Sequence, residues 1–234
     1  MNGPHEQNAG WWYLDRHLNL DTADAVCLIS EEDELTYRQM HRQVCQVARL
    51  LSEGGVGHGD RIVIILPDTV VLVATVLAAM RLGAVPVPVT PMLTIDEQRF
   101  VIDDCDPSAV VLEDPDGELA ADFRRRFPGR PSGAAARPTA TSPACPAAAA
   151  ARPLDTAPRG GREPALFQYT SGSTGRAKGV VHAHDGLLAF PGSGQAPGAH
   201  PTGPNSVDGQ DALRVRLRQF AADAVLGRGQ RGDH

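Results

Sequence analysis

Ile62-Val-Ile-Ile-Leu-Pro-Asp-Thr-Val-Val-Leu-Val-Ala-Thr-Val-Leu-Ala-Ala-Met-Arg-Leu-Gly-Ala-Val-Pro-Val-Pro-Val89 reads as strand, helix, strand. Ile62–Leu66 is a short β-branched run closed by proline, as a buried strand is. Asp68 or Thr69 then caps a helix that ends near Leu82 and Gly83. Its apolar run, Val70 to Met80, is interrupted by Thr75 and stops at Arg81. That is too short to span a bilayer and reads as a buried helix. Val85–Val89 is a second strand, and its two prolines place it at a sheet edge or make it end abruptly.

The same alternation extends on both sides. Upstream, Ala25–Ile29 reads as a strand and Glu31–Glu34 as an acidic, solvated turn. Thr36 with Gln39 is a capping-box pair opening a helix, with Met40, Val44, Val47, Ala48 and Leu51 as its buried stripe. Gly54 and Gly55 stop that helix. Gly55 to Gly59 has the glycine content of a dinucleotide loop but follows a helix and precedes a strand, so it reads as a turn. Downstream, Thr94 and Glu97 form a second capping box for a helix to about Cys105, and Ala109–Leu112 is the next strand. Strands alternating with helices predict an α/β fold, a layered parallel sheet covered by helices.

A different kind of signal follows at Tyr169-Thr-Ser-Gly-Ser-Thr-Gly-Arg-Ala-Lys-Gly-Val-Val181. Thr170, Ser171, Ser173 and Thr174 supply hydroxyls. Gly172, Gly175 and Gly179 let the backbone bend so that its N–H groups converge, and Lys178 adds a full positive charge. Apolar Ala165–Tyr169 before it and Val180–Val181 after it predict strand, loop, strand. Such a nest of donors suits a polyphosphate. It differs from the common P-loop, in which Gly-Lys-Ser/Thr runs directly into a helix. A flexible Ser/Gly linker would not carry a strand on each side. The loop is expected at the C-terminal end of its strand, where layered α/β folds bind ligands. No loop hydroxyl has a base beside it, which argues against a serine nucleophile. His182 and His184 read as structural or surface residues that share one strand face.

Tyr169-Thr-Ser-Gly-Ser-Thr-Gly-Arg-Ala-Lys-Gly-Val180 resembles the signature of the adenylate-forming (AMP-binding) superfamily: acyl- and aryl-CoA synthetases, peptide-synthetase adenylation domains and luciferases. Ala177 stands where the family usually has proline. Leu35-Thr-Tyr-Arg-Gln39, Gly59-Asp60-Arg61 with Leu66-Pro67, and Arg81-Leu-Gly-Ala-Val-Pro-Val-Pro-Val89 resemble the family's early motifs in their usual order. Tyr13-Leu-Asp-Arg-His-Leu18 and Val181-His-Ala-His184 lean towards acetate- and benzoate-CoA ligases. The resemblance implies ATP, Mg2+ and a small carboxylic acid, with CoA as co-substrate. It assigns Thr170, Ser171, Gly172, Ser173, Thr174, Gly175 and Lys178 to the ATP phosphates, with Lys178 compensating charge on the leaving pyrophosphate. It covers the N-terminal part of such a domain only, without the ribose-binding aspartate or the terminal lysine domain. The expectation is therefore a ligase fragment without independent turnover. The alternative is a non-enzymatic nucleotide- or partner-binding module, with a complementing chain left open. An unrelated kinase-type enzyme lacks its magnesium-holding aspartate here.

The remaining sequence divides into four stretches: 1–127, an α/β region; 128–161, rich in Ala, Pro, Gly and Arg and expected to be disordered or loosely held; 162–190, the strand and phosphate loop; and 191–234, a divergent tail expected to be disordered. One amphipathic stretch lies within the tail, with Leu213, Leu217, Phe220 and Val225 at helical spacing. Loss of family pattern so soon after an intact motif is what a reading-frame change produces, and a short paralogue with its own tail would look the same. An apolar sheet edge left open after the loop predicts poor solubility. Trp11, Trp12 and Tyr13 mark either an interface or packing against the first helix. A net charge of −6 without basic clusters excludes a nucleic-acid footprint, and nothing points to a membrane. Without a basic-then-apolar leader the expected location is cytoplasmic. Cys27, Cys45, Cys105 and Cys145 have no metal-ligand spacing and read as reduced, structural thiols.

Overall fold

A computed structural model of the chain describes residues 7–29, 34–134, 154–170 and 177–189. In chain order they form α1 (Ala9–Tyr13), a 3-10 turn (Asp15–Asn19), β1 (Val26–Ile29), β2 (Glu34–Thr36), α2 (Tyr37–Glu53) and β3 (Arg61–Ile65). Next come α3 (Val70–Arg81), β4 (Val85–Val89), α4 (Ile95–Cys105), β5 (Ala109–Leu112), α5 (Glu118–Arg126) and β6 (Ser132–Ala134). Last are β7 (Pro164–Thr170), β8 (Lys178–Ala183) and α6 (His184–Leu188). Much of the acidic turn, all of 135–153 and the amphipathic stretch of the tail lie outside the described residues.

Helix boundaries follow local chemistry. Thr36 and Thr94 each accept from the backbone N–H three residues on, while Gln39 and Glu97 reach back to the threonine N–H, so both capping boxes are complete. At the far ends, Gly55 (φ 86°) and Gly83 (φ 75°) take the left-handed conformation that a side chain resists. The pairs Val56 N–H to Leu51 and Gly55 N–H to Ser52, and Ala84 N–H to Ala79 and Gly83 N–H to Met80, close both helices as Schellman motifs.

The parallel sheet has the order β4-β3-β5-β6. The chain goes from β3 outward to β4, then crosses back over β3 to β5. If both crossovers are right-handed, their helices must lie on opposite faces. They do: α3 packs with Ile62 and Ile64 on one face, and α4 and α5 pack with Val63, Ile65, Val110 and Leu112 on the other. α3 is itself a sandwiched layer. Val71, Leu72, Val76 and Met80 meet the sheet, whereas Val70, Val73, Ala74 and Leu77 meet Met40, Val44 and Val47 of α2. All of its residues are buried, as its unbroken apolar run requires. Thr75 is accommodated by donating its hydroxyl to the Val71 carbonyl at 2.7 Å.

β4 is the ladder's edge strand, in keeping with its prolines. Val85 N–H bonds to Asp60 on the β3 side, so with a two-residue period Pro86 and Pro88 turn their donor-less nitrogens outward. β7 lies against that edge without joining its ladder, and pairs with β8 instead.

The stretch expected to be loosely held is built into the fold at both its ends. Ser132–Ala134 adds β6 in parallel to β5. Residues 154–161 are fastened by hydrogen bonds that composition does not reveal. Arg81 donates from Nη2 to the Leu154 carbonyl at 2.8 Å, and Ala157 N–H donates to the Arg81 carbonyl at 2.8 Å. The buried Asn8 amide bridges the Met80 and Ala157 carbonyls at 2.8 and 3.0 Å. Arg81 also pairs with Asp15, which accepts from Thr156 as well. Tyr13, flagged as an interface candidate, packs inward, and its hydroxyl donates to the Leu187 carbonyl at 2.6 Å.

Truncating Arg81 strands the buried Asp15 carboxylate without its cation. Arg81→Ala should lower unfolding free energy by about 3–5 kcal/mol in urea titrations; a loss below about 1 kcal/mol would show the pair to be peripheral. Acid sensitivity has a separate origin. Burial, aided by Arg159 for His184 and by Arg16 for His17, lowers both imidazoles from 6.5 to about 4. Their neutral forms are favoured in the fold, so stability is full above pH 6.5. As pH falls towards 4 the unfolded chain takes up protons that the folded chain refuses. Unfolding free energy should drop between pH 7 and pH 5, by roughly 1 kcal/mol per pH unit for each histidine in urea titrations. A flat profile over that window contradicts the assignment.

Candidate functional site: a hairpin loop of hydroxyls and one lysine

β7 and β8 form an antiparallel hairpin with Phe167 opposite Val181, Tyr169 opposite Gly179, and Thr170 opposite Lys178 as the last pair. The strand-loop-strand reading is thus realised, and Thr170 and Lys178 stand across from each other at the mouth of the loop. Lys178 is exposed. Ser171, Gly172, Ser173, Thr174 and Gly175 lie outside the described residues.

β7 places its side chains in the body of the fold. Ala165 and Leu166 join the cluster on the α3 face, whereas Phe167 and Tyr169 pack on the α4 face. The Tyr169 hydroxyl donates to Asp104 Oδ2 at 2.6 Å. Burial, then this bond, holds its phenol above the ordinary tyrosine range. Phe167, Tyr169, Gly179 and Val181 line a cleft of about 330 Å3 with Arg61, Asp104, Cys105 and Asp106. Arg61 spans the floor by donating to the Cys105 carbonyl and, at 3.0 Å, to the Asp106 carbonyl. Burial pushes the Cys105 thiol up to about 12, so it stays protonated and inert.

The loop follows the C-terminal end of its own strand, β7, which belongs to an antiparallel hairpin beside the parallel ladder. Asp104 closes α4 and Arg61 opens β3, so the base of the loop sits by the N-terminal ends of β3 and β5. One expectation is corrected here. Gly179, read as a bend, is instead a strand residue. A Cβ there would lie 3.3 Å from Tyr169 Cζ, so a side chain at this position would press the ring that covers it aside by a few tenths of an ångström.

The two histidines part company as well. His182 is on β8, with Nε2 3.2 Å from Gln168 Oε1. His184 opens α6, is fully buried, and accepts the Ala9 N–H at Nδ1, 3.0 Å away. Its role is structural. Asp104 and the bracing use of Tyr169 went unread in the sequence, and Arg61 entered only as part of an early motif. Asp104 is 65 residues from Tyr169 and carries no local signature. Among the described residues no group of His, Cys, Asp or Glu is placed to hold a metal ion. Among them, too, no helix is long and apolar enough to cross a membrane.

The AMP-binding enzyme family model matches residues 15–207. The acetyl-coenzyme A synthetase of Cupriavidus taiwanensis is 31% identical over 217 residues, an alignment covering 79% of this chain and 32% of that protein. The long-chain-fatty-acid–CoA ligase FadD13 of Mycobacterium tuberculosis is 29% identical over 181 residues, covering 77% of this chain and 36% of that one. ATP-bound MatB from Rhodopseudomonas palustris superposes with a TM-score of 0.64 at 27% identity, over 76% of this chain and 35% of that chain. The chain thus spans about a third of the length of these relatives. By the family match over most of its length, together with the structural likeness to MatB, the chain belongs to the AMP-binding enzyme family.

Proposed function

We propose that these residues are the nucleotide-gripping N-terminal portion of an ATP-dependent carboxylate–CoA ligase. The observation that carries this reading is the hairpin register, which sets the Thr170 hydroxyl opposite the exposed Lys178 at the two ends of the glycine- and hydroxyl-rich loop. In this reading ATP supplies the α-phosphorus that a carboxylate attacks, and CoA later takes the acyl group. The chain's own part is to bind. Thr170, Ser171, Ser173 and Thr174 donate hydroxyl hydrogen bonds to the β- and γ-phosphates, Gly172 and Gly175 let backbone N–H groups approach, and Lys178 offsets charge on the departing pyrophosphate. Such a loop acts by positioning and electrostatics, with no covalent step of its own. Magnesium would arrive with the nucleotide, since the described residues offer no metal cluster. The chain covers about a third of the length of its ligase relatives.

The 234-residue chain supplied with ATP, magnesium, CoA and short or aromatic acids should release no pyrophosphate above blank. Acid-dependent release would overturn the fragment reading. Calorimetry should detect magnesium-pyrophosphate binding, and Lys178→Ala should weaken it by at least about tenfold, the worth of a charge-assisted contact. Equal binding by the two chains would overturn the role given to Lys178.

A further inference from the structure

The hairpin poses a positioning problem. Two strands alone are marginal, and the proline edge of β4 refuses β7 a ladder. Arg159 ties the start of β7 by donating to the Pro164 carbonyl at 3.1 Å, but toward the loop Leu166 and Phe167 hold the strand by apolar packing, which resists separation and tolerates sliding. A directional tie is needed if the mouth of the loop is to keep one place.

Tyr169 supplies it. Its pair with Gly179 is adjacent to the Thr170–Lys178 pair. Its ring lies over Gly179, close enough that a Cβ would be 3.3 Å from Cζ, and so bridges both strands just below the loop. Its hydroxyl then reaches out of the hairpin to Asp104 Oδ2 at 2.6 Å. Asp104 is held in the last turn of α4, whose Val101, Ile102 and Cys105 are buried against the sheet. A hydrogen bond to a carboxylate is short, directional and stronger than one between neutral groups. The phenol stays protonated across the neutral range, so the donor is always present.

We propose that Asp104, acting through Tyr169, is a positioning residue for the phosphate site: it locks the Thr170–Lys178 mouth to α4 and so fixes where Thr170 and Lys178 meet a polyphosphate. The inference rests on the phosphate-binding reading and adds residues outside the loop motif. Binding sites of this kind depend on supporting contacts that hold donors to within about 0.5 Å.

The test is calorimetric titration of magnesium-pyrophosphate into the full chain and four variants, each first checked for native circular dichroism and its urea midpoint. Tyr169→Phe and Asp104→Ala should each weaken pyrophosphate binding about tenfold, the scale of one lost hydrogen bond to a charged group. Asp104→Asn keeps an acceptor oxygen in place and should stay within about twofold of the parent chain. The double variant Tyr169→Phe/Asp104→Ala should be no weaker than either single variant, because both remove the same bond. A parent chain that binds while Tyr169→Phe binds equally well overturns the positioning role and leaves the phosphate reading intact. Additive losses in the double variant, or an Asp104→Asn loss equal to that of alanine, also overturn it. A parent chain that binds no pyrophosphate overturns the phosphate reading, and this inference with it.

Discussion

A guanidinium in a dry site constrains the rest of this structure. Arg81 ends a helix that is otherwise apolar, and its side chain is buried between the sheet layer and the N-terminal elements. Left alone there it would cost several kcal/mol, so the chain must bring it partners. Those partners come from far away: the Asp15 carboxylate, 66 residues upstream, and the Leu154 carbonyl, 73 residues downstream. Asn8 joins the same helix end to Ala157, and Thr156 donates to Asp15. Satisfying one charge therefore closes the N-terminal segment and the returning 154–161 segment around the end of α3. From there the chain leads directly into Pro164 and the hairpin.

The hairpin is then fitted to a sheet that offers it no ladder. Outward-facing Pro86 and Pro88 end the parallel sheet at β4, so β7 finds its hydrogen bonds in β8 and only its packing in the older core. This separates two jobs that a single continuous sheet would merge. The parallel sheet supplies rigidity, and the hairpin carries the hydroxyls, the glycines and the lysine. The Tyr169–Asp104 bond connects the two. The back of the hairpin is secured independently, where His184 accepts the Ala9 N–H and Arg159 pairs with Glu163 at 2.6 Å.

Family membership and chain length make different statements about chemistry. The match over residues 15–207 places the fold and the loop motif in the AMP-binding enzymes. The chain spans about a third of the length of its ligase relatives, so the match speaks to the family and not to the whole reaction of those enzymes.

What the sequence determined by itself was everything governed by local rules. The period of the apolar residues in 62–89, the threonine capping boxes, and Gly55 and Gly83 at helix ends each had one physical reading, the prolines of β4 allowed an edge or an abrupt end, and the structure follows these readings with β4 at the edge. The chemical character of the Thr170–Lys178 loop was legible for the same reason, because its donors are consecutive. Tertiary structure alone decided the rest. The ordering of 154–161 inside a stretch poor in apolar residues depends on the unpaired groups of α1 and α3, which no window around residue 157 contains. Gly179 looked like a bend and proved to be clearance for a ring on the opposite strand. The end of the sheet to which the hairpin is tied depends on a tyrosine and an aspartate that only folding brings together. Capping and periodicity act over a few residues, whereas buried charges and orphaned carbonyls are satisfied by whatever the chain returns to them.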